Sequence, residues 1–215
     1  MAPPPRAHPK VTTVYLVRHG RTPSTGKVLP GRAKGLNLSE EGRAQAQAAA
    51  ERIAELGTRP VAVYASPLER TRQTAAPIAK ALGLRVVTDK GLLECDFGSW
   101  TGKQLSALTK KPEWRTVQSA PSSFRFPEGE SFAEMATRTW DTVQRLATSH
   151  RGKSIVLVSH ADPIKAVLSQ AAGAPLDMFQ RLSVAPCSVS TLVLSAHGPM
   201  VLNVNTTGSL KVELS

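Results

Sequence analysis

Val11-Thr-Thr-Val-Tyr-Leu-Val-Arg-His-Gly20 decides the fold. The β-branched, apolar run over 11–17 has the length and composition of a buried strand, and it stops abruptly at Arg18-His19-Gly20. Two further stretches repeat the design. Residues 61–65 read as a strand ending at Ser66, with Arg70 shortly after, and 154–158 read as a strand ending at Ser159-His160.

Helical stretches separate these strands. Ser39 is placed as an N-cap ahead of Glu40-Glu41, which suit the positive helix start, and Gly57 ends that helix after about Leu56. Residues 68–82 predict a second helix stopped by Gly83, 85–88 a short strand, and 130–150 a third long helix. Asp162-Pro163 supplies a cap and a first-turn proline for a helix over 164–172. Residues 188–194 and 201–204 have the turn-separated pattern of closing strands. Strands alternating with helices specify an α/β layered fold with a mainly parallel sheet. Residues 1–11 read as a disordered leader, 12–205 as one domain and 206–215 as a C-terminal tail. Within the domain, the Pro-, Ser-, Phe- and Arg-rich segment 110–130 reads as a lid-like insertion lying over the sheet.

Composition narrows the classes. The 215 residues suffice for one core without disulfides or a structural metal. No apolar run approaches the ~18 residues that span a bilayer, so no membrane role is expected. Cys95 and Cys187 have no CxxC partner, which argues against zinc or a redox pair; reduced thiols in a cytoplasmic protein are the simpler expectation, with a disulfide left open. The net charge of +11 is the outlier. It fits a nucleic-acid partner, an anionic substrate or a solvated basic surface. Scattered Lys and Arg with only 5% aromatic residues make nucleic acid the least supported of the three.

In an open parallel sheet the ligand crevice lies outside the carboxyl ends of the strands. Were the three strands neighbours, His19, His160, Arg18 and Arg70 would converge there. Such a cluster suits phosphoryl transfer. A neutral imidazole can attack phosphorus, and arginine forks clamp the charged oxygens. At ~4 Å and an effective dielectric near ~20, each charge contact is on the order of 4 kcal/mol before desolvation. The leaving oxygen also needs a proton, which a carboxylic acid can give.

Four ordered blocks carry a family resemblance. Val17-Arg-His-Gly-Arg-Thr22, Ser66-Pro-Leu-Glu-Arg-Thr-Arg-Gln-Thr-Ala75, Leu93-Glu-Cys-Asp-Phe-Gly-Ser-Trp-Thr-Gly102 and Val158-Ser-His-Ala-Asp162 resemble the signatures of the histidine phosphatase superfamily, the phosphoglycerate-mutase-like proteins. The resemblance implies a three-layer sandwich with helices flanking the sheet, and a metal-independent enzyme without cofactor. It implies His19 as the phosphorylated nucleophile, Arg18 and Arg70 as phosphate ligands, His160 as a further donor and Glu94 as the proton donor. Asp96 is a rival for that last role. Thr25 stands where many members carry Asn, and Ala161 where glycine often follows the second histidine; both are placed at the phosphate. Arg21 and Arg32 fit either the pocket rim or a solvated surface.

The resulting expectation is a phosphomonoesterase for a small phosphorylated metabolite, acting as a monomer or homodimer. A phosphomutase is the alternative, and a non-catalytic binding module a weaker one. The insertion offers only the separated Arg115 and Arg125 for substrate selection, where glycolytic mutases of the family usually have adjacent arginines. Two nearby arginines should also lower the pKa of Glu94, so protonation of Glu94 is expected mainly in a substrate complex.

Overall fold

The computed structural model describes residues 11–210; the expected leader, apart from Val11, and the last five residues of the expected tail lie outside them. Strands β1 (Thr12–Arg18), β2 (Ala62–Ala65), β3 (Val86–Thr88), β4 (Ser154–Ser159), β5 (Val189–Ser195) and β6 (Gly198–Thr206) form one sheet in the order β3-β2-β4-β1-β5-β6. The first four are parallel; β5 and β6 close the sheet antiparallel.

Both faces of the sheet are covered, which is why its strands are almost wholly apolar. Val14, Leu16, Ile155 and Leu157 point to one side, beneath α5 (Phe132–Ser149) and α6 (Ala161–Ala171). The alternate residues Tyr15, Val17, Val156 and Val158 point to the other, beneath α1 (Glu40–Ala54) and α2 (Glu69–Leu82). Three layers result. Ser39 caps α1 by accepting from the Gly42 N–H, and Gly83 ends α2 in the left-handed conformation.

The structure refines three sequence expectations. Helix α6 begins at Ala161 with His160 as its extended N-cap residue, so Asp162 lies inside the first turn instead of capping it. The strand runs straight into the helix with no intervening loop. Secondly, the tail is docked through 210. Thr206 belongs to β6, Leu210 is buried in the α1–α2 core, and Arg52 donates to the carbonyls of Thr206 and Gly208.

Thirdly, segment 110–130 packs on helices and not over strands. With α3 (Leu105–Leu108) and α4 (Glu113–Ser119), it contributes to an aromatic core of Phe97, Trp100, Phe124 and Phe126 that rests on Phe132 and Met135 of α5 and Ala166 of α6. Its own apolar residues hold it down. Gly98 lets this core approach the loop after β3: it has φ +49°, and a Cβ there would lie 2.0 Å from the Pro127 carbonyl oxygen. Gly98→Ala is therefore expected to cost about 2–4 kcal/mol, read as a lower denaturation midpoint with an unchanged m-value.

Candidate active site

The sheet order places β4 between β1 and β2, so three parallel strands end side by side. The ladder continues past their ends: the His19 N–H donates to the Ser159 carbonyl and the Ser66 N–H to the Val158 carbonyl, both at 3.0 Å. His19 and Ser66 thus flank the His160 turn. The two imidazoles meet edge to face, 5.2 Å between centroids.

Each ring is oriented by its hydrogen bonds. His19 Nδ1 lies 2.8 Å from the Gly20 carbonyl oxygen. A carbonyl only accepts, so Nδ1 carries the proton and Nε2 the lone pair. Burial, then Arg70 and Arg18, push the His19 pKa down to about 3, and the ring is neutral at ordinary pH. Burial likewise holds His160 well below the usual histidine range. Its Nε2 lies 2.9 Å from the Ser66 hydroxyl, while its Nδ1 is buried with no protein partner.

Arg70 projects from the first turn of α2 and is fully buried. One guanidinium nitrogen donates to the Gly31 carbonyl at 2.7 Å; Nε and Nη1 have no protein acceptor. Arg18, at the end of β1, donates to the Val184 carbonyl at 2.6 Å and also has a buried, unpartnered Nε. Such orphaned donors on buried cations are costly unless an anion takes them up. Thr74 ties the pieces together, accepting from the Gly20 N–H and donating to the Arg70 carbonyl.

Glu94 is 7% exposed, and one of its carboxylate oxygens accepts from the Cys95 N–H at 3.0 Å. Its pKa is raised to about 7, by burial first and then by Asp162, against the opposing pull of Arg70 and Arg18. The expectation that arginines would hold it low is thus corrected. Desolvation of the charged carboxylate outweighs them, so burial favours the acid form of Glu94 before any ligand binds.

The remaining candidates divide. Ala161 opens α6, where a helix leaves backbone N–H groups without internal partners. The Thr25 hydroxyl accepts from the Thr22 N–H and closes the 22–25 turn. Arg32 donates to the Glu94 carbonyl (2.9 Å), to Asp96 and to Glu130, so its fork holds the acid-bearing loop. Arg125 pairs with Glu134, the residue that completes the capping box of α5. These contacts give both arginines a part in holding the loops. Arg21 is exposed and paired with Glu41, and Arg115 stands exposed on α4. Asp96, the rival acid, caps the Gly98 N–H and pairs with Arg32.

The sequence reading missed three contributors. Ser66 was visible as a strand end, but its hydroxyl contact with His160 was not. Asp162 was read as a cap and proves to be a charge acting on Glu94 and Arg18. Arg138, in mid-α5, donates to the Gly91 and Leu93 carbonyls and to Glu130, fixing the Glu94 loop from below. Cys95 and Cys187 are free and buried, and burial pushes both thiols up. Among the described residues no three His, Cys, Asp or Glu side chains gather to hold a metal, and no helix is long and apolar enough to cross a membrane.

Two neutral imidazoles, two buried guanidiniums and one carboxyl whose pKa burial raises, at the carboxyl end of a parallel sheet, make a site able to receive a tetrahedral oxyanion. The chain belongs to the histidine phosphatase superfamily (branch 1), whose model matches residues 14–207. It is 34% identical over 180 residues to "Probable phosphoglycerate mutase GpmB" of Erwinia tasmaniensis, covering 82% of each chain. A bifunctional protein of Mycobacterium tuberculosis is 36% identical over 202 residues, 93% of this chain; the match spans 55% of that relative's length. Among solved structures, mycobacterial glucosyl-3-phosphoglycerate phosphatase superposes with a TM-score of 0.81 at 25% identity, over 92% of this chain and all of that one. A phosphoserine phosphatase mutant from Entamoeba histolytica, in complex with phosphoserine, gives 0.83 at 25% identity, over 93% of this chain and 100% of that one.

Proposed function

We propose that the protein is a metal-independent phosphomonoesterase that hydrolyses a small phosphorylated metabolite through a phosphohistidine on His19. The observation that carries this is the fixed tautomer: Nδ1–H is held by the Gly20 carbonyl, so the Nε2 lone pair is the free one. Nε2 attacks phosphorus as the ester P–O bond breaks, and the leaving oxygen takes the proton of Glu94. Water then attacks the phosphorus and gives its proton to the Glu94 carboxylate. The N–P bond breaks, returning neutral His19 and inorganic phosphate. Arg18 and Arg70 hold the non-bridging oxygens throughout, and the first-turn N–H of Ala161 adds a backbone donor.

Ser66 acts as a positioning residue. When its hydroxyl donates to His160 Nε2, the proton on His160 sits on Nδ1, the atom that lacks a protein partner. Ser66→Ala frees the tautomer and is expected to lower kcat about 10-fold, with His160 ring-nitrogen NMR shifts showing mixed tautomers. An unchanged kcat with an unchanged ring spectrum would remove Ser66 from the mechanism.

The mutase reading is favoured by the name of the Erwinia relative, the hydrolase reading by the phosphatases among the solved structures. The test is a phosphate-release screen over a panel of metabolite monoesters. Inorganic phosphate without an isomerised ester supports hydrolysis; an isomerised ester without phosphate supports the mutase.

A further inference from the structure

The chain over 91–96 carries Glu94 but has little regular structure of its own, only a 3-10 turn over Lys90–Leu92. Backbone of this kind moves unless its polar groups are tied down. Here side chains from separate parts of the fold tie them. The Gly91 and Leu93 carbonyls accept from Arg138 Nη1 on α5, at 2.8 and 3.1 Å. The Leu92 carbonyl accepts from the hydroxyl of Ser159, the residue before His160, at 2.8 Å. The Glu94 carbonyl accepts from Arg32 Nε and the Asp96 carbonyl from the Glu130 N–H, both at 2.9 Å.

One carboxylate joins these clamps. Glu130 accepts a two-pronged fork from Arg138 Nε and Nη2, at 2.9 and 3.0 Å, and a further bond from Arg32 Nη2 at 2.9 Å. It also takes the Asp96 N–H at 3.2 Å. The Glu130 side chain is only 15% exposed, so water competes little for these bonds. Without its charge Arg32 keeps Asp96, but Arg138 keeps no carboxylate partner among the described residues.

Glu94 depends on this scaffold because little else aims it. Among the described residues its carboxyl has one hydrogen bond, from the N–H of the adjacent Cys95. The direction of the carboxyl is therefore inherited from the main chain over 91–96. At a reacting centre a misplacement of about 1 Å costs on the order of 10²-fold in rate. Glu130 ends the segment 110–130, for which the sequence suggested a lid.

We propose that Glu130 is a positioning residue for proton transfer: through Arg138 and Arg32 it fixes the main chain that aims the Glu94 carboxyl at the leaving oxygen. This rests on the phosphomonoesterase reading, in which Glu94 is the acid. The effect of Glu130 falls on leaving groups that need a proton and largely spares those that do not.

The test compares benzyl phosphate, whose alkoxide cannot leave unprotonated, with p-nitrophenyl phosphate, whose leaving group is stable as an anion. The kcat/KM of each reports transfer to His19, ahead of the water step. Glu130→Gln is expected to lower kcat/KM for benzyl phosphate about 10–100-fold, and to lower the benzyl-to-nitrophenyl ratio by about 10-fold or more. Arg138→Met breaks the same clamp from α5 and should move the ratio the same way. That ratio does not depend on the fraction of enzyme folded, so a merely structural defect leaves it at the wild-type value. In a Glu94→Gln background there is no acid left to aim, and adding Glu130→Gln should not lower the ratio further. A wild-type ratio in both Glu130→Gln and Arg138→Met, or a further fall in the double variant, overturns the proposal. Failure of the underlying reading looks different: Glu94→Gln itself then leaves the ratio unchanged, and the proposal falls with it.

Discussion

Replacing His19 with alanine is expected to lower phosphate release by on the order of 10⁴-fold or more, with the fold intact. The ring contributes little that the scaffold needs. Its one hydrogen bond within the protein goes to the adjacent Gly20 carbonyl, and β1 is held by its ladders to β4 and β5. What is lost is the attacking nitrogen. The remaining arginines still bind the ester, so KM should move far less than kcat. Thermal melting within a few degrees of wild type excludes unfolding as the cause. Activity within 10-fold of wild type would contradict a nucleophilic role.

Glu94→Gln is the second large effect, and it depends on the leaving group. For alkyl phosphates the expected loss is about 10²–10⁴-fold in kcat, since an alkoxide cannot depart unprotonated. For p-nitrophenyl phosphate, whose leaving group is stable as an anion, the loss should be much smaller. The pH profile supplies an independent reading. Burial raises the Glu94 pKa to about 7, so the acid form is present below that value and is lost as pH rises through it. The His19 pKa of about 3 places the loss of the free nucleophile far to the acid side. The wild-type rate on alkyl esters should thus fall about tenfold per pH unit above ~7, and Glu94→Gln should abolish that limb. An alkaline limb that persists in the variant would assign the acid to another group.

The parts of the fold legible in the sequence are those with strong local causes. β1 and β4 are buried on both faces, so they read as continuous apolar runs, and α1 carries its own cap at Ser39. The strand-end placement of His19, His160 and Ser66 followed from those runs. The rest depends on distant contacts. The N-terminus of α6 was misplaced because Asp162-Pro163 has the local signature of a start, whereas the extended backbone of His160 does that work. The Glu94 pKa was misjudged for a similar reason. The arginines were visible in the sequence, but neither the burial of the carboxyl nor the charge of Asp162 was. Arg32 reaches the Glu94 loop across 62 positions and Arg138 reaches its Leu93 carbonyl across 45, with no periodicity to mark either.

The central claim is that a phosphoryl group rests on His19. Mixing the protein with a turned-over monoester, quenching in alkali and fragmenting the protein by mass spectrometry tests it directly. The expected result is an alkali-stable, acid-labile phosphoryl group on His19, formed as fast as turnover and absent from His19→Ala. Turnover with no label on His19, or a label on another residue at the same rate, would contradict it.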